Sequence, residues 1–203
     1  MGRSAVRSRS DACIQRAQND LGQSLVEFAL ALPILMLLIV GLVEFALAFN
    51  SRDSVYFASR DASMLAAEGG RIVGTDCVVL DRVERDIVSP ARPVRVQTVK
   101  IFWSDKNGNE LSGTHNLYTR GGTTTCTYGN GTSLSVPYTL SSAGYTETNR
   151  CDVLAGCGGT HTSPDNIGVT ITYQHNWITS VAKISLSSLT FNLTSATRVE
   201  PQQ

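Results

Sequence analysis

Residues 21–40 read LGQSLVEFALALPILMLLIV, and this stretch decides the architecture of the chain. No residue between Glu27 and Glu44 carries a charge. A helix that spans a membrane needs about 20 predominantly apolar residues. Because a helix rises about 1.5 Å per residue, the two glutamates would stand roughly 25 Å apart along its axis, close to the thickness of the hydrocarbon layer. The pattern predicts a transmembrane helix over residues 23–49, since a run this long is unusual for the alternative, a buried core helix.

The charges around the apolar run predict its orientation. Arg3, Arg7, Arg9 and Arg16 precede it against two aspartates, whereas the acidic and basic residues that directly follow it cancel. Because positive flanking residues stay in the cytoplasm, we expect residues 1–22 to form a basic cytoplasmic leader and the C-terminal part to be periplasmic or extracellular. A cleaved secretory signal peptide fits poorly, because the apolar segment is too long and no clean small-residue cleavage site follows it.

Two helices are predicted. The apolar stripe continues beyond the membrane segment, so one helix is expected over residues 21–68, with residues 50–70 as an extension outside the lipid. The glycine pair at 69–70 would end this helix. A second helix is expected to begin at the N-cap candidates Thr75 and Asp76. Its apolar spacing places Val79, Val83 and Ile87 on one face.

Alternating residues predict three strands near the C-terminus. They are PVRVQTVKIFW (93–103), NIGVTITYQHNW (166–177) and SLTFNLTSATRVE (188–200), with a turn or a short helix, WITSVAKIS, between the last two. Strands that pack on the long helix predict an α+β fold with an antiparallel sheet. The exported α+β domain would comprise residues 71–203.

The segment 104–165 is rich in Gly, Ser, Thr and Asn and predicts little apolar core. Within it, Asn107-Gly108 is typical of a hairpin turn. The alternation of Asp105, Asn107 and Asn109 is also typical of a calcium loop, but the glycine at position six and the carboxylate at position twelve of an EF-hand are missing. No metal site is therefore expected there.

Four cysteines lie on the predicted outer side of the membrane, whereas Cys13 lies in the leader. An even number in an oxidising compartment favours two disulfides. Three pairings are possible; we favour Cys151–Cys157, which closes a short loop, together with Cys77–Cys126. Zinc binding by Cys151, Cys157 and His161 is the alternative, but their spacings of six and four differ from those of structural zinc sites.

The sequence contains no recognisable catalytic motif. It has no Gly-x-Ser-x-Gly, no His-Glu-x-x-His and no phosphate-binding glycine loop, and its histidines, His115, His161 and His175, are scattered. The net charge is zero, whereas a nucleic-acid-binding protein needs a basic surface. We therefore expect no enzyme activity, no cofactor, no bound metal and no nucleic-acid partner.

The pattern Gly-x-x-x-x-Glu, formed by Gly22 and Glu27 between a basic leader and an apolar helix, resembles the type IV prepilin processing site. The resemblance implies that a prepilin peptidase cuts after Gly22 and leaves Gln23 as the first residue of the product. It also implies that the carboxylate of Glu27 pairs with the α-amino group of a neighbouring subunit, which would offset the cost of an ionisable group in a membrane. Pro33 has no N–H to donate, so it removes a helical hydrogen bond and predicts a kink. In type IV pilins a proline in this region marks where the helix can melt on assembly, and the resemblance implies the same role for Pro33.

The longer stretch GQSLVEFALALPILMLLIVGLVEFALAF (22–49) resembles the N-terminal signature of the TadE/TadG-like family. These are pseudopilins or minor pilins of tight-adherence pilus systems. The C-terminal LTFNLTSATRVEP resembles the family's closing strand, and Glu27 is followed by Phe28 where some Tad pilins carry tyrosine. The resemblance implies a membrane-anchored precursor that interacts with a prepilin peptidase, other pilins or pseudopilins, the assembly platform and membrane lipid. Glu27 and Glu44 would be its assembly or membrane carboxylates.

Two alternatives stay open. The first is an uncleaved bitopic surface protein with an extracellular binding domain. The second is a secreted enzyme with a membrane anchor, for which no catalytic residue can be named.

Overall fold

The computed structural model describes residues 9–152, 156–157, 162–178 and 188–199, and only the backbone of residues 9–21 and 112. The chain separates into two compact units, Met1–Phe45 and Ala46–Gln203. The boundary falls four residues before residue 49, where the sequence predicted the end of the membrane segment. An apolar helix and an antiparallel sheet are both present, so the predicted α+β class is confirmed.

Helix α1 spans Arg9–Gly69. It begins earlier than the predicted residue 21, because the stretch from Arg9 to Asp20 contains neither glycine nor proline and is rich in residues that favour helices. The helix ends as predicted at the glycine pair. Gly70 has a φ of 46° and donates its N–H to the carbonyl of Ala66 at 3.1 Å. This left-handed conformation suits glycine and terminates the helix.

In the second unit, α1 buries a face of small residues. Small side chains allow the helix to lie close to the sheet, and Ser63 Oγ contacts Ser195 Oγ at 3.1 Å and Thr197 Oγ1 at 2.9 Å. The buried face therefore combines apolar packing with hydroxyl contacts to the last strand. Its members are Ala48, Ser51, Val55, Ala58, Ser59, Ala62, Ser63, Ala66 and Ala67.

Helix α2 spans Thr75–Asp86 and buries Val79 and Val83, as the apolar spacing predicted. The predicted capping role of Thr75 and Asp76 is wrong. The N-cap is Gly74, with a φ of 94°, and no side chain of the helix itself caps it.

The carboxylate of Glu147 caps α2 instead. Its Oε2 accepts the N–H of Gly74 at 2.8 Å and its Oε1 accepts the N–H of Asp76 at 2.7 Å. A negative group at a helix N-terminus satisfies free N–H groups and interacts favourably with the helix dipole. The local sequence could not indicate this cap, because Glu147 lies 71 residues beyond Asp76.

The bounds of the strands are β1 Val96–Ser104, β2 Glu110–Thr127, β3 Ser133–Ala143, β4 Cys151–Asp152, β5 Gly156–Cys157, β6 Asn166–His175 and β7 Leu189–Arg198. The main sheet has five antiparallel strands in the order β3-β2-β1-β6-β7. Strands β1, β6 and β7 correspond to the three predicted strands, although Pro93–Arg95 forms a short 3₁₀-helix rather than part of β1. A separate pair of two-residue strands, β4 and β5, forms a second sheet.

Strands β2 and β3 lie in the polar segment for which little core was expected, and this expectation is wrong. A sheet with one covered face needs large residues only at alternate positions of that face. Tyr118, Val136 and Tyr138 supply them and are buried. Threonine and serine occupy the other face, where Thr119 contacts Ser141 across the strands.

The hairpin turn predicted at Asn107-Gly108 is confirmed. It joins β1 to β2, and Gly108 adopts a φ of 83°. The Asp105 carboxylate accepts the backbone N–H groups of Asn107 at 2.8 Å and Asn109 at 2.9 Å, as well as the side-chain amide of Asn109. The hydrogen bond from the Asn109 side chain is the main reason why the pKa of Asp105 lies below its ordinary value.

A buried ion pair joins α2 to the segment before β4. Arg150 is completely buried and donates through Nη2 to Asp76 Oδ1 at 2.5 Å. Asp76 Oδ2 accepts from Asn116 Nδ2 at 2.9 Å and Tyr118 Oη at 2.8 Å. Burial and then the charge of Asp76 raise the pKa of Tyr118. Burial disfavours the charged form of Arg150 and would lower its pKa. The charge of the adjacent Asp76 and its hydrogen bond to Arg150 have the larger combined effect, so the pKa of Arg150 is raised.

Two disulfides link the elements of the second unit. Cys77–Cys126 joins α2 to β2, and Cys151–Cys157 joins β4 to β5. These are the two pairs that the sequence favoured. In the disulfide, Cys151 and Cys157 are not available as zinc ligands. The side chain of Cys13, the residue His161 and most of the segment 177–185 lie outside the described part of the chain.

Candidate processing and assembly site

Gly22 lies inside α1, and packing against the described residues does not require a glycine there. A Cβ at this position would meet no atom within 4 Å, and the same holds for Gly41. Glycine in a helix interior is less favourable than alanine by about 1 kcal/mol. Gly22 therefore weakens the helix at the predicted cleavage bond, and no described residue needs the space that its missing side chain leaves.

Helical geometry brings two residues of the processing motif together. Gln23 Nε2 donates to Glu27 Oε1 at 3.2 Å, one turn further along α1, and both side chains are exposed. Residues four apart share a face of a helix. If the chain begins at Gln23, the carboxylate of Glu27 lies on the same face as the new terminus.

The residues that follow Glu27 form an exposed apolar surface. Among the described residues, one helix is long and apolar enough to cross a membrane, with a mean hydropathy of 2.6 in its most apolar window. Side chains such as Leu30 and Leu42 are about 70% exposed. A continuous apolar surface of this kind marks a site that lipid or another protein covers. The chain therefore has the architecture of a single-pass membrane protein.

Pro33 and Glu44 lie within this apolar stretch. Helix α1 continues through Pro33, which has no N–H to donate to the carbonyl of Ala29. Glu44 is only 3% exposed, although Leu42 and Phe45 beside it are largely exposed. The two glutamates of the membrane segment thus differ, because the side chain of Glu27 is open to its surroundings and that of Glu44 is buried.

From Phe49 onward, α1 carries large exposed side chains that the sequence pattern did not predict. Phe49 is 63% exposed, Tyr56 44% and Phe57 62%. The periodicity indicated only the alanine-rich buried stripe of this helix. These large residues recur on the face of the helix opposite the alanines, and this recurrence is the signal that could have identified them in the sequence.

Comparison with known proteins bears directly on the processing motif. Residues 22–64 match the family model of TadE-like proteins, so the match begins at the glycine of the motif. No curated protein and no solved structure matches the chain. Residues 22–64 are therefore a TadE-like segment in a single-pass membrane protein, and the resemblance to the TadE/TadG-like family is confirmed.

Proposed function

We propose that this chain is the precursor of a pseudopilin or minor pilin of a tight-adherence pilus. A prepilin peptidase cuts it after Gly22 on the cytoplasmic side, and residues 23–49 then hold the product in the membrane. The exported domain, residues 71–203, primes, caps or stabilises the pilus. The chain catalyses no reaction itself. Its partners are the peptidase, other pilins or pseudopilins, the assembly platform and the surrounding lipid.

The observation that supports this function most strongly is the position of the processing motif. Gly22 and Glu27 stand at the start of an exposed apolar helix, and the TadE-like match begins at the same glycine. Within the described part of the chain no packing contact calls for a glycine at position 22, and recognition by a peptidase would account for it through its place five residues before Glu27.

Glu27 provides the electrostatic part of the proposal. Cleavage creates an α-amino group on Gln23 at the N-terminus of a helix, where free N–H groups already carry partial positive charge. The Glu27 carboxylate of a neighbouring subunit would neutralise that positive charge. Such an interaction is stronger in a medium of low dielectric constant than in water. The exposed carboxylate of Glu27, at the start of the lipid-facing part of α1, would thereby gain the α-amino group of a neighbouring subunit as its partner on assembly.

The cleavage step is tested with Gly22→Ala in cells that make the pilus, and with Gly41→Ala as the matched control. Both glycines lie in α1 with open space around them, so both substitutions affect the helix similarly. We expect Gly22→Ala to retain the leader and to abolish pili, whereas Gly41→Ala is processed normally. If the two variants behave alike, Gly22 is not a recognition residue.

The assembly step is tested with Glu27→Ala, and with the exposed Glu68→Ala on the same helix as the control. The expected Glu27→Ala product is processed and stays in the membrane but is not incorporated into pili. Normal pili from this variant would overturn the assembly role. An uncleaved bitopic surface protein would keep its leader in every variant and would leave pilus assembly unchanged.

A further inference from the structure

The exposed face of α1 from Phe49, the last residue of the predicted membrane segment, to Met64 is not uniformly polar. Phe49, Tyr56 and Phe57 are accompanied by Met64, which is 36% exposed. Between them, Asp53 and Arg60 are also exposed. Residues spaced by three, four and seven positions share one face of a helix. We call this face the outer stripe: Phe49, Asp53, Tyr56, Phe57, Arg60 and Met64.

The two charges of the outer stripe are available to a partner. Arg60 forms no ion pair with any residue that the structure describes, and Asp53 contacts only its neighbour Arg52, at 3.7 Å on an exposed surface. The adjacent Asp61, by contrast, pairs with Arg82 of α2 at 3.1 Å. Exposed pairs such as Arg52–Asp53 contribute little free energy. A partner with matching charges would therefore displace little existing interaction.

The outer stripe matches itself when it is shifted by one heptad. Phe49 and Tyr56, Asp53 and Arg60, and Phe57 and Met64 are each seven residues apart. Two parallel copies at equal height would bring like charges together at Asp53 and at Arg60. A displacement of seven residues is about 10.5 Å along the axis. It instead places Phe49, Asp53 and Phe57 of one copy beside Tyr56, Arg60 and Met64 of the other, so that an aromatic pair, an ion pair and an aromatic–methionine pair can form.

We propose that the outer stripe binds the outer stripe of a second copy of this chain, which is parallel to the first and displaced by seven residues along α1. The parallel arrangement rests on the proposed function, because copies that enter one membrane in the same direction have parallel helices. The displaced pair leaves Arg60 of one copy and Asp53 of the other unmatched. Further copies could pair with these groups, so the association is open-ended rather than a closed dimer.

The pairing is tested by photo-crosslinking of the full chain in native membranes. A photoreactive phenylalanine analogue replaces Tyr56, which keeps an aromatic group on the stripe, and illumination should produce a covalent product of twice the mass. We expect Arg60→Asp and Asp53→Arg each to reduce this product about fivefold or more. The chain that carries both substitutions restores the opposite charges and should recover at least half of the product. Arg85→Asp, an exposed arginine paired with Asp81 on α2, is the control and should have no effect.

The outcomes separate this inference from the proposed function. Absence of the dimer, an adduct with a different protein, or failure of the double variant to recover overturns the pairing. The N-terminus of the chain is determined in the same membranes. A chain that is processed after Gly22 but forms no dimer overturns the pairing alone, whereas an unprocessed chain overturns the proposed function.

Discussion

Asp76 illustrates how the fold uses individual polar residues. By local sequence it is a good helix cap, but its carboxylate points into the core and accepts hydrogen bonds from Asn116, Tyr118 and Arg150. A buried charge is tolerated when it is paired and hydrogen-bonded. The capping role passes to Glu147, which the sequence places far from α2.

We predict that Asp76→Ala destabilises the protein by about 3–5 kcal/mol, because it leaves Arg150 buried without a counter-charge. Asp81→Ala, which removes the ion pair between the half-buried Asp81 and the exposed Arg85, should cost less than about 1 kcal/mol. Urea unfolding of the full chain in detergent micelles, followed by the fluorescence of Trp103 and Trp177, measures both free energies. Equal losses would mean that the buried pair contributes no more than a surface pair.

Residue-level prediction succeeded where the signal was local and failed where it was not. The turn at Asn107-Gly108 depends on the preference of glycine for positive φ and could be identified from the sequence. The cap of α2 and the partners of Asp76 depend on groups 40 to 74 residues away. No local pattern contains that information.

Among the elements, the β1–β2 hairpin carries a cluster of ionisable groups. Glu110 Oε2 accepts from Lys100 Nζ at 2.5 Å, and its Oε1 lies 2.5 Å from His115 Nδ1. Burial would raise the pKa of Glu110, but the hydrogen bonds from Lys100 and His115 outweigh burial and hold that pKa below the ordinary value of 4.5. The cluster favours the ionised form of the carboxyl group.

This shift predicts a sign for the pH dependence of stability. A carboxyl group whose pKa is lower in the folded state stabilises the fold fully above its ordinary pKa, and the stabilisation is lost as the pH falls through the folded value. Between pH 7 and pH 3, the unfolding temperature of Glu110→Gln should therefore fall less than that of the unchanged protein, by about 2 °C. Circular dichroism of the solubilised full chain measures both. A larger fall in the variant would contradict the assigned role.

Periodicity identified α1, α2, β1, β6 and β7 because each has a regular apolar pattern. It missed β2 and β3, whose outer faces carry threonine and serine and whose pairing is interrupted. Their register shifts between Arg120 and Thr124, beside two glycines. A bulge of this kind breaks the alternation on which strand prediction depends.

For the second unit as a whole, the two disulfides constrain chain segments of very different length. Cys77 and Cys126 are 49 residues apart in sequence, whereas Cys151 and Cys157 are 6 apart. A cross-link stabilises a fold mainly by restricting the unfolded chain, and the effect increases with loop length. The Cys77–Cys126 disulfide ties β2, a strand that the sequence did not predict, to α2. The order of the strands in the sheet could not be predicted from the sequence either.

We predict that replacing both Cys77 and Cys126 by serine costs about 4 kcal/mol, and replacing both Cys151 and Cys157 costs about 2 kcal/mol. Urea unfolding of the exported full-length variants, solubilised in detergent, gives the two values. The reverse order would show that loop closure is not the dominant contribution of these cross-links.

The N-terminus of the mature protein decides whether the chain is a processed pilin-like subunit. The measurement is the N-terminal sequence and intact mass of the protein isolated from native membranes. We expect a chain that begins Gln23-Ser24-Leu25 and lacks the mass of residues 1–22. A chain that retains the arginine-rich leader, or one that begins beyond about residue 50, would contradict this expectation.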